Sequence, residues 1–376
     1  MSMTALFGAP ILAGDWRVDH AVLMDGAHIV DVVPVGQIPS DAERVQVAGG
    51  HLVPGFIDTQ VNGGGGLLFN DQPTVEGVRT IAAAHRRFGT TALLPTLISD
   101  DLEVVAKAIA AVDAAIEAGV PGVVGIHLEG PFLNPGKHGI HDERWFRMLD
   151  DDAVALLASL ERGKTLVTLA PERAPPGFIR KLTDAGVIVA AGHTLASYED
   201  MARAVEEGLT GITHLYNAMT QLESRAPGVV GAAFDLEVIS GLIVDGHHVH
   251  PASLRAAYAA CGPERLMLVT DAMPPIGTDM ESFPLGETEI FVRDGALRSK
   301  DGTLAGSDLD MARAVTNAVT MMGVTLDQAV AMASATPARF LGLKDYGRIA
   351  TGYRADIVHL DDSGKVAAVW VGGDAL

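Results

Sequence analysis

The segment Val187-Ile188-Val189-Ala190-Ala191-Gly192-His193 is a short apolar run that ends in a glycine and an ionisable residue. Its apolar residues do not alternate with polar ones, which is typical of a strand buried on both faces of a parallel sheet. The chain contains seven further runs of this kind, at residues 52–57, 91–97, 123–128, 165–169, 211–215, 238–244 and 265–269. The sequence therefore predicts eight buried strands.

Helical patterns separate these runs. One apolar stripe, for example, recurs every three or four residues at Leu102, Val105, Ile109, Val112 and Ile116. The connection at residues 228–234 is too short for a full helix, and we expect it to be irregular. Eight strands that alternate with helices favour a (β/α)8 barrel of the TIM type, with a doubly wound open sheet as the alternative. No G-x-G-x-x-G follows any run, which argues against a dinucleotide site.

Both ends of the chain are rich in short strand patterns around tight turns. Near the start and near the end of the chain, these patterns cover residues 21–24, 28–33, 44–48, 355–360 and 366–371. We therefore expect one small β domain made of residues 1–53 and 346–376. The barrel domain would then comprise residues 54–345.

Charge and cysteine content narrow the range of partners. The formal net charge of −20 argues against nucleic-acid binding, because phosphate backbones need a basic surface. A small anionic ligand remains compatible with this charge if a few cationic side chains lie close to its site.

Cys261 is the one cysteine, so no intrachain disulfide can form, and we expect a cytoplasmic protein. We find no signal-peptide pattern and no run of the roughly 20 apolar residues that a membrane helix needs.

Polar or ionisable residues stand at the ends of six of the eight runs. In TIM barrels the active site forms where the carboxyl ends of the strands meet. A carboxylate in such an apolar place is costly unless it is paired or bound to a metal. In chain order these residues are Asp58, Gln60, Asn62, Glu129, His193, His214, Asp245, His247, His248 and Asp271.

Glu129, His193 and His214 are candidate ligands of one metal ion. Imidazole and carboxylate suit zinc or a similar divalent cation, and three protein ligands leave a coordination position for water. Any one histidine is more often a hydrogen-bonded core residue, but three candidates at equivalent strand ends favour a metal. Asp271, at the end of the eighth run, would take a proton from that water and return it to a leaving nitrogen. The alternative is that Asp271 only caps the following loop.

Pro54-Gly55-Phe56-Ile57-Asp58 resembles the opening signature of the amidohydrolase superfamily. Those enzymes combine a metal-bearing barrel with a small β-sandwich made from both termini. Most of them carry His-x-His after the signature and bind two metals. Here the two positions are Gln60 and Asn62, so we expect one divalent ion per subunit, and the sequence leaves open a weak second site near them.

Six further motifs resemble one branch of the N-acetylglucosamine-6-phosphate deacetylases, and the resemblance covers nearly the whole chain. The most specific of the six are the runs at 213–219 and 127–131. The motifs are HLEGPF at 127–132, AGHT at 191–194, THLYNAM at 213–219, DGHHV at 245–249, VTDA at 269–272 and GTLAGS at 302–307.

The resemblance implies a hydrolase that converts N-acetylglucosamine 6-phosphate into glucosamine 6-phosphate and acetate. It implies that Glu129, His193 and His214 bind the metal, for which we expect zinc, with iron, cobalt and manganese as alternatives. Asp271 matches the catalytic acid and base, and His141 matches the residue that polarises the acetyl carbonyl. The positions that match substrate contacts are Ile140, His141, Asn217, Ala218, Arg225, His248, Leu304, Ala305 and Gly306.

The resemblance also implies a homodimer, because some phosphate contacts in the family, such as those at Arg225 and His248, come from the neighbouring subunit. A guanidinium at Arg225 can hold a phosphate through two parallel hydrogen bonds, although an ordinary solvated arginine explains the residue equally well. The alternative functions are an amidohydrolase for a different N-acetyl sugar or a cyclic amide, and a non-catalytic scaffold. A neutral cyclic amide has no need of Arg225 and His248. Scaffold relatives usually lose metal ligands, whereas this chain keeps a complete set.

Overall fold

Seven short strands begin the described chain, residues 3–376 of the computed structural model. Residues 1 and 2, with which the predicted small domain begins, lie outside the described residues. The strands are β1 (Thr4–Phe7), β2 (Ile11–Ala13), β3 (Asp15–Arg17), β4 (His20–Asp25), β5 (His28–Pro34), β6 (Glu43–Gln46) and β7 (His51–Pro54). β1, β4, β5 and β6 form a four-stranded sheet.

The centre of the molecule is a parallel sheet of eight strands that pair in chain order. Its first strand, β8 (Phe56–Val61), is followed by a hairpin of β9 (Gly63–Gly64) and β10 (Leu67–Leu68). The other seven are β11 (Thr90–Ile98), β12 (Gly125–Glu129), β13 (Lys164–Leu169), β14 (Ile188–Ala191), β15 (Gly211–Ile212), β16 (Ile239–Leu242) and β17 (Leu266–Leu268).

The barrel closes between its first and last strands, at a junction that we call the barrel seam. β8 and β17 do not form a regular ladder, but Val61 makes an isolated bridge to Ala272 just beyond β17. The N–H of Asp271 donates to the carbonyl of Gln60 at 3.0 Å, and the N–H of Asn62 donates to that of Ala272 at 2.9 Å. The predicted TIM-type barrel is therefore confirmed, and the open sheet is not formed.

Ten α-helices accompany the strands in the described residues. They are α1 (Val75–Arg86), α2 (Leu102–Glu117), α3 (Asp151–Leu157), α4 (Phe178–Asp184), α5 (Tyr198–Glu206), α6 (Gly228–Asp235), α7 (Pro251–Cys261), α8 (Met311–Asn317), α9 (Leu326–Ala333) and α10 (Ala335–Leu341). A π-helical turn, Ala318–Met322, continues α8. No helix within residues 3–376 is both long and apolar enough to cross a membrane.

Two details of the barrel differ from the sequence prediction. The connection at residues 228–234 contains an eight-residue helix, α6, and is not irregular. Six of its residues are buried, so packing on several sides stabilises it without an amphipathic stripe. The run at 52–57 is divided between β7 and β8 at Gly55, where a Cβ would lie 2.1 Å from the Thr91 hydroxyl oxygen.

Two further groups of strands follow the eighth barrel strand, β17. A three-stranded antiparallel sheet, β18 (Ser282–Leu285), β19 (Thr288–Arg293) and β20 (Ala296–Arg298), was not predicted and packs against Met273 and Ala305. The last strands are β21 (Ile357–Leu360), β22 (Val366–Val371) and β23 (Asp374–Ala375). β21 pairs with β7, so both ends of the chain share a six-stranded sheet. The domain boundaries at 53/54 and 345/346 stay predictions.

Candidate active site

Three barrel strands bring Glu129, His193 and His214 together at their carboxyl ends. Glu129 Oε1 lies 3.2 Å from His193 Nε2 and 3.0 Å from His214 Nε2, and the two Nε2 atoms are 3.1 Å apart. All three side chains are buried. Tetrahedral ligands at about 2.0–2.1 Å from a metal stand about 3.3 Å from one another. The three separations therefore fit one divalent cation.

The states of His193 and Glu129 also suit a cation. The His193 Nδ1–H donates to the Lys137 carbonyl at 2.8 Å, which leaves the lone pair on Nε2 facing the other two ligands. Burial raises the pKa of Glu129, but the close contacts with His193 and His214 outweigh it and hold that pKa well below its usual value. Glu129 is therefore an anionic ligand.

Three of the strand-end residues have a left-handed backbone. The φ angles are 48° for His193, 32° for His214 and 54° for Asp271. Such angles are uncommon outside glycine, and they persist only where the surrounding structure holds them. They turn each side chain out of the regular strand direction, which gives all three residues access to a common space.

Asp271 is held by two side-chain amides from the end of β8. Its Oδ1 accepts hydrogen bonds from Asn62 Nδ2 at 2.6 Å and from Gln60 Nε2 at 3.1 Å. Gln60 Nε2 also lies 3.1 Å from Glu129 Oε2, so this amide bridges the two carboxylates. Burial and the negative charge of Glu129 raise the pKa of Asp271 to about 6. A carboxyl group with that pKa can exchange protons near neutral pH.

His141 comes from the loop after β12 and presents a proton donor. The N–H of Ser99 donates to its Nδ1 at 3.3 Å, and the Ser99 hydroxyl lies 2.9 Å from the same atom. Because Nδ1 accepts, the ring proton is on Nε2. Burial, together with the neighbouring His193, lowers the pKa of His141 to about 3, so the ring is neutral. Its ring centroid lies 4.4 Å from that of His193.

One cavity of about 220 Å³ connects these groups. Of the thirteen residues for which the sequence predicted a catalytic, metal-binding or substrate-binding role, eleven line it: Glu129, Ile140, His141, His193, His214, Asn217, Ala218, His248, Asp271, Leu304 and Gly306. A cavity in which a few polar groups converge is the usual form of a small-molecule site.

The other two predicted residues lie elsewhere. Ala305 is fully buried in the cluster under β18–β20, and Arg225 is exposed on the loop before α6. His248 lines the cavity of its own subunit, and its Nδ1 lies 2.6 Å from Asp245 Oδ2. Its access to that cavity therefore does not need a neighbouring subunit. The individual functional roles stay predictions.

Several contributors were not predicted from sequence. Gln60 and Asn62 were singled out because they replace metal ligands, but nothing in the local pattern indicates their contact with Asp271. Thr303 lies inside a motif that was recognised, and its neighbours in that motif were the residues selected. The remaining lining residues are apolar or glycine and carry no chemical signal: Ile98, Gly139, Ile243 and Met273.

Comparisons with known proteins agree with this geometry. A sequence model of the amidohydrolase family matches residues 51–376. The chain is 49% identical over 339 residues to N-acetylgalactosamine-6-phosphate deacetylase of Shewanella sp. (strain ANA-3). The aligned region covers 90% of this chain and 86% of that protein.

Solved structures share the whole architecture. The crystal structure of N-acetylglucosamine-6-phosphate deacetylase from Pasteurella multocida superimposes with a TM-score of 0.96 at 32% identity, covering 100% of this chain and 99% of that one. A mutant of N-acetyl-D-glucosamine-6-phosphate deacetylase from Mycobacterium smegmatis, in complex with N-acetyl-D-glucosamine-6-phosphate, gives a TM-score of 0.91 at 34% identity, with the same coverage of both chains.

Proposed function

The chain belongs to the amidohydrolase family, and from that premise we propose that it removes the acetyl group from an N-acetylhexosamine 6-phosphate. N-acetylglucosamine 6-phosphate is the first candidate substrate, with glucosamine 6-phosphate and acetate as products. One observation carries the proposal: the cavity that holds the Glu129, His193 and His214 set also exposes Asp271 and the donor of His141.

The three ligands define the cofactor class. A divalent ion bound there would supply Lewis acidity and lower the pKa of water to about 7. We propose zinc, and iron, cobalt or manganese would suit the same donors. One ion per subunit is the proposed stoichiometry, because Gln60 and Asn62 donate to carboxylates where related enzymes carry histidines.

Asp271 is the proposed general base and acid. Two amide donors occupy its Oδ1, so Oδ2 is the oxygen left to take a proton from the attacking water. The same oxygen then gives the proton to the leaving nitrogen, which departs as the amine of the product sugar. A raised pKa favours both transfers near neutral pH.

His141 is the proposed partner of the acetyl carbonyl oxygen. That oxygen becomes negative when water attacks the carbonyl carbon. A neutral imidazole with its proton on Nε2 donates a hydrogen bond to this charge and stabilises the transition state. Ser99 holds the ring in that tautomer.

The sugar and its phosphate would be held by the remaining lining residues. We propose that Asn217, Ala218, His248 and the loop from Leu304 to Gly306 orient the sugar and make the attack effectively intramolecular. No lysine or arginine lines the cavity in the described part of the chain, although the substrate is anionic. In the proposed homodimer, Arg225 of the neighbouring subunit would supply a positive charge to this cavity.

A separate observation bears on which sugar epimer is the substrate. The relative that is 49% identical acts, by its name, on the galactosamine compound, which differs from the glucosamine compound in configuration at one ring carbon. We therefore propose N-acetylgalactosamine 6-phosphate as the second candidate substrate of the same site.

The cytoplasm is the proposed location. The chain has one cysteine, Cys261, and its thiol is buried and free. A protein without disulfides suits a reducing compartment.

Acetate release from purified protein, with metal counted per chain, tests the function. The panel contains both N-acetylhexosamine 6-phosphates, unphosphorylated N-acetylglucosamine and a neutral cyclic amide. We expect turnover of at least one phosphorylated sugar, with a much lower kcat/KM for the sugar without phosphate. Preference for the cyclic amide would support the other amidohydrolase class, and a metal-free, inactive protein would support a scaffold.

A further inference from the structure

Asp58 is a buried carboxylate that the proposed reaction does not use. Its side chain is fully buried at the barrel seam. Its Oδ2 accepts from the Thr270 hydroxyl at 2.5 Å. Its Oδ1 accepts from the backbone N–H of Thr270 at 3.3 Å and from that of Gln60 at 3.2 Å. One carboxylate therefore joins the end of the first barrel strand to the segment after the last.

The two partners of Asp58 are the immediate supports of Asp271. Thr270 precedes Asp271 in the chain, and the carbonyl of Gln60 accepts the N–H of Asp271 at 3.0 Å. The side chain of Gln60 donates to Asp271 Oδ1. The Thr270 hydroxyl oxygen also accepts the N–H of Ala272 at 3.2 Å. Asp58 thus holds the residues before and beside Asp271.

The seam is a place where such support is needed. Regular strand pairing is lacking between β8 and β17, and the left-handed backbone of Asp271 is an unfavourable conformation for a residue with a Cβ. On the other side of Asp271, Ser307 donates its hydroxyl to the Thr270 carbonyl at 2.5 Å and its N–H to the Asp271 carbonyl at 2.8 Å. Asp58 and Ser307 therefore enclose Asp271 from two sides.

We propose that Asp58 is a positioning residue for Asp271, acting through Thr270 and Gln60 across the barrel seam. This inference rests on the proposed function, because Asp271 is the proposed base. The carboxylate is suited to this because its two oxygens satisfy three donors at once, and an unpaired charge at this depth would be costly. Burial raises the pKa of Asp58 to about 7 although these hydrogen bonds lower it.

Substitutions that preserve the shape of the side chain can distinguish an effect on the position of Asp271 from a loss of packing. Thr270→Val removes the hydroxyl, Thr270→Ser keeps it, and Asp58→Asn keeps the outline of the side chain. The matched control is Asp356→Asn, because Asp356 is a buried carboxylate just before β21 that accepts from Gly372 N–H at 2.7 Å and from Arg354 Nε at 3.2 Å.

Thr270→Val and Asp58→Asn should lower kcat by about 10- to 100-fold, since small misplacements of a reacting group have effects of this size. KM should change by less than about twofold and the metal content should stay as in the wild type, because the ligands are on other strands. Thr270→Ser should recover most of the loss. Asp356→Asn should lower the melting temperature and leave kcat per folded enzyme unchanged.

A kcat in Thr270→Val equal to that of the wild type, or a loss no larger than in Asp356→Asn, would overturn the positioning role. A crystal structure of Thr270→Val gives a readout independent of the substrate. We expect the contact between Asp271 Oδ1 and Asn62 Nδ2 to lengthen from 2.6 Å. An unchanged contact would overturn the inference even if the substrate were different, whereas a wild type that releases no acetate would overturn the proposed function alone.

Discussion

The side-chain amide of Asn62 lies 2.6 Å from the Asp271 carboxylate, although the two residues are 209 positions apart in the chain. Gln60 donates a second side-chain amide to the same oxygen at 3.1 Å, so both side-chain donors to this carboxylate are neutral. A neutral donor lowers a carboxyl pKa less than a nearby cation does, because it brings no net charge. The effect of burial is consequently larger than that of the amide hydrogen bond, and the pKa of Asp271 is raised to about 6.

Loss of the Asn62 amide should raise the pKa of Asp271, because the hydrogen bond stabilises the ionised form. In Asn62→Ala the acidic limb of the kcat/KM profile should move to higher pH, measured by acetate release from pH 5 to 9. Asn70→Ala is the control, since Asn70 contacts Ile98 and Asp100 and not Asp271. Identical acidic limbs in wild type and Asn62→Ala would contradict the assigned contact.

The pH dependence of the wild type follows from the same group. Asp271 must be ionised to take a proton, and a raised pKa means that protonation begins as pH falls toward 6. A bound cation would lower that pKa, so the acidic limb should lie at or below about pH 6 and activity should be lost below it. A profile whose acidic limb lies well above pH 7 would exclude Asp271 as the controlling group.

Asp271→Asn should reduce kcat by about 10²- to 10⁴-fold, since the amide cannot accept the proton. Metal content should remain close to that of the wild type, because Asp271 is outside the three-residue ligand set. The control is Asp279→Asn at an exposed position of the same connecting segment. Near-normal turnover in Asp271→Asn would remove the proposed base.

Removal of the metal should abolish turnover and lower the melting temperature. A ligand that binds only the folded state stabilises it, so dialysis against a chelator takes that stabilisation away. Zinc added back should restore both properties. Glu129→Gln, which keeps the shape and removes the charge, should hold far less than one ion per chain. Full activity after chelation, with no metal detected, would contradict a metal-dependent reaction.

Arg225→Ala should raise KM for the phosphorylated sugar and have little effect on the unphosphorylated one. A subunit-mixing experiment tests where the arginine acts. When Arg225→Ala and Asp271→Asn chains are co-expressed, half of the dimers are mixed, and each mixed dimer has one intact site only if the arginine crosses the interface. We then expect about a quarter of wild-type activity.

The mixing experiment gives a different result if Arg225 does not cross the interface. If Arg225 served its own subunit, mixed dimers would contain no intact site, and the mixture would show no more than the residual activity of the two parent variants. A monomer in sedimentation experiments would also contradict the shared site.

Local patterns were sufficient for the architecture and for the proposed metal ligands. Eight continuous apolar runs predicted eight buried strands, and parallel strands that close into a barrel carry their final residues to one rim. Glu129, His193 and His214 could therefore be selected without coordinates. Helix α6 was missed because tertiary packing stabilises it. β18–β20 were missed because they form in the connection between β17 and α8 and are not part of the repeat of strand and helix.

By itself, the sequence determined the barrel, the family resemblance and the residues at the strand ends. Buried strands produce continuous apolar runs that end in polar residues, and such runs can be recognised from a few neighbouring positions. Only the tertiary structure decided which distant side chains meet at the seam. Asp58 reaches Thr270 across 212 positions, and Asn62 reaches Asp271 across 209. Such contacts depend on where the first strand closes against the last, and no local periodicity encodes that closure.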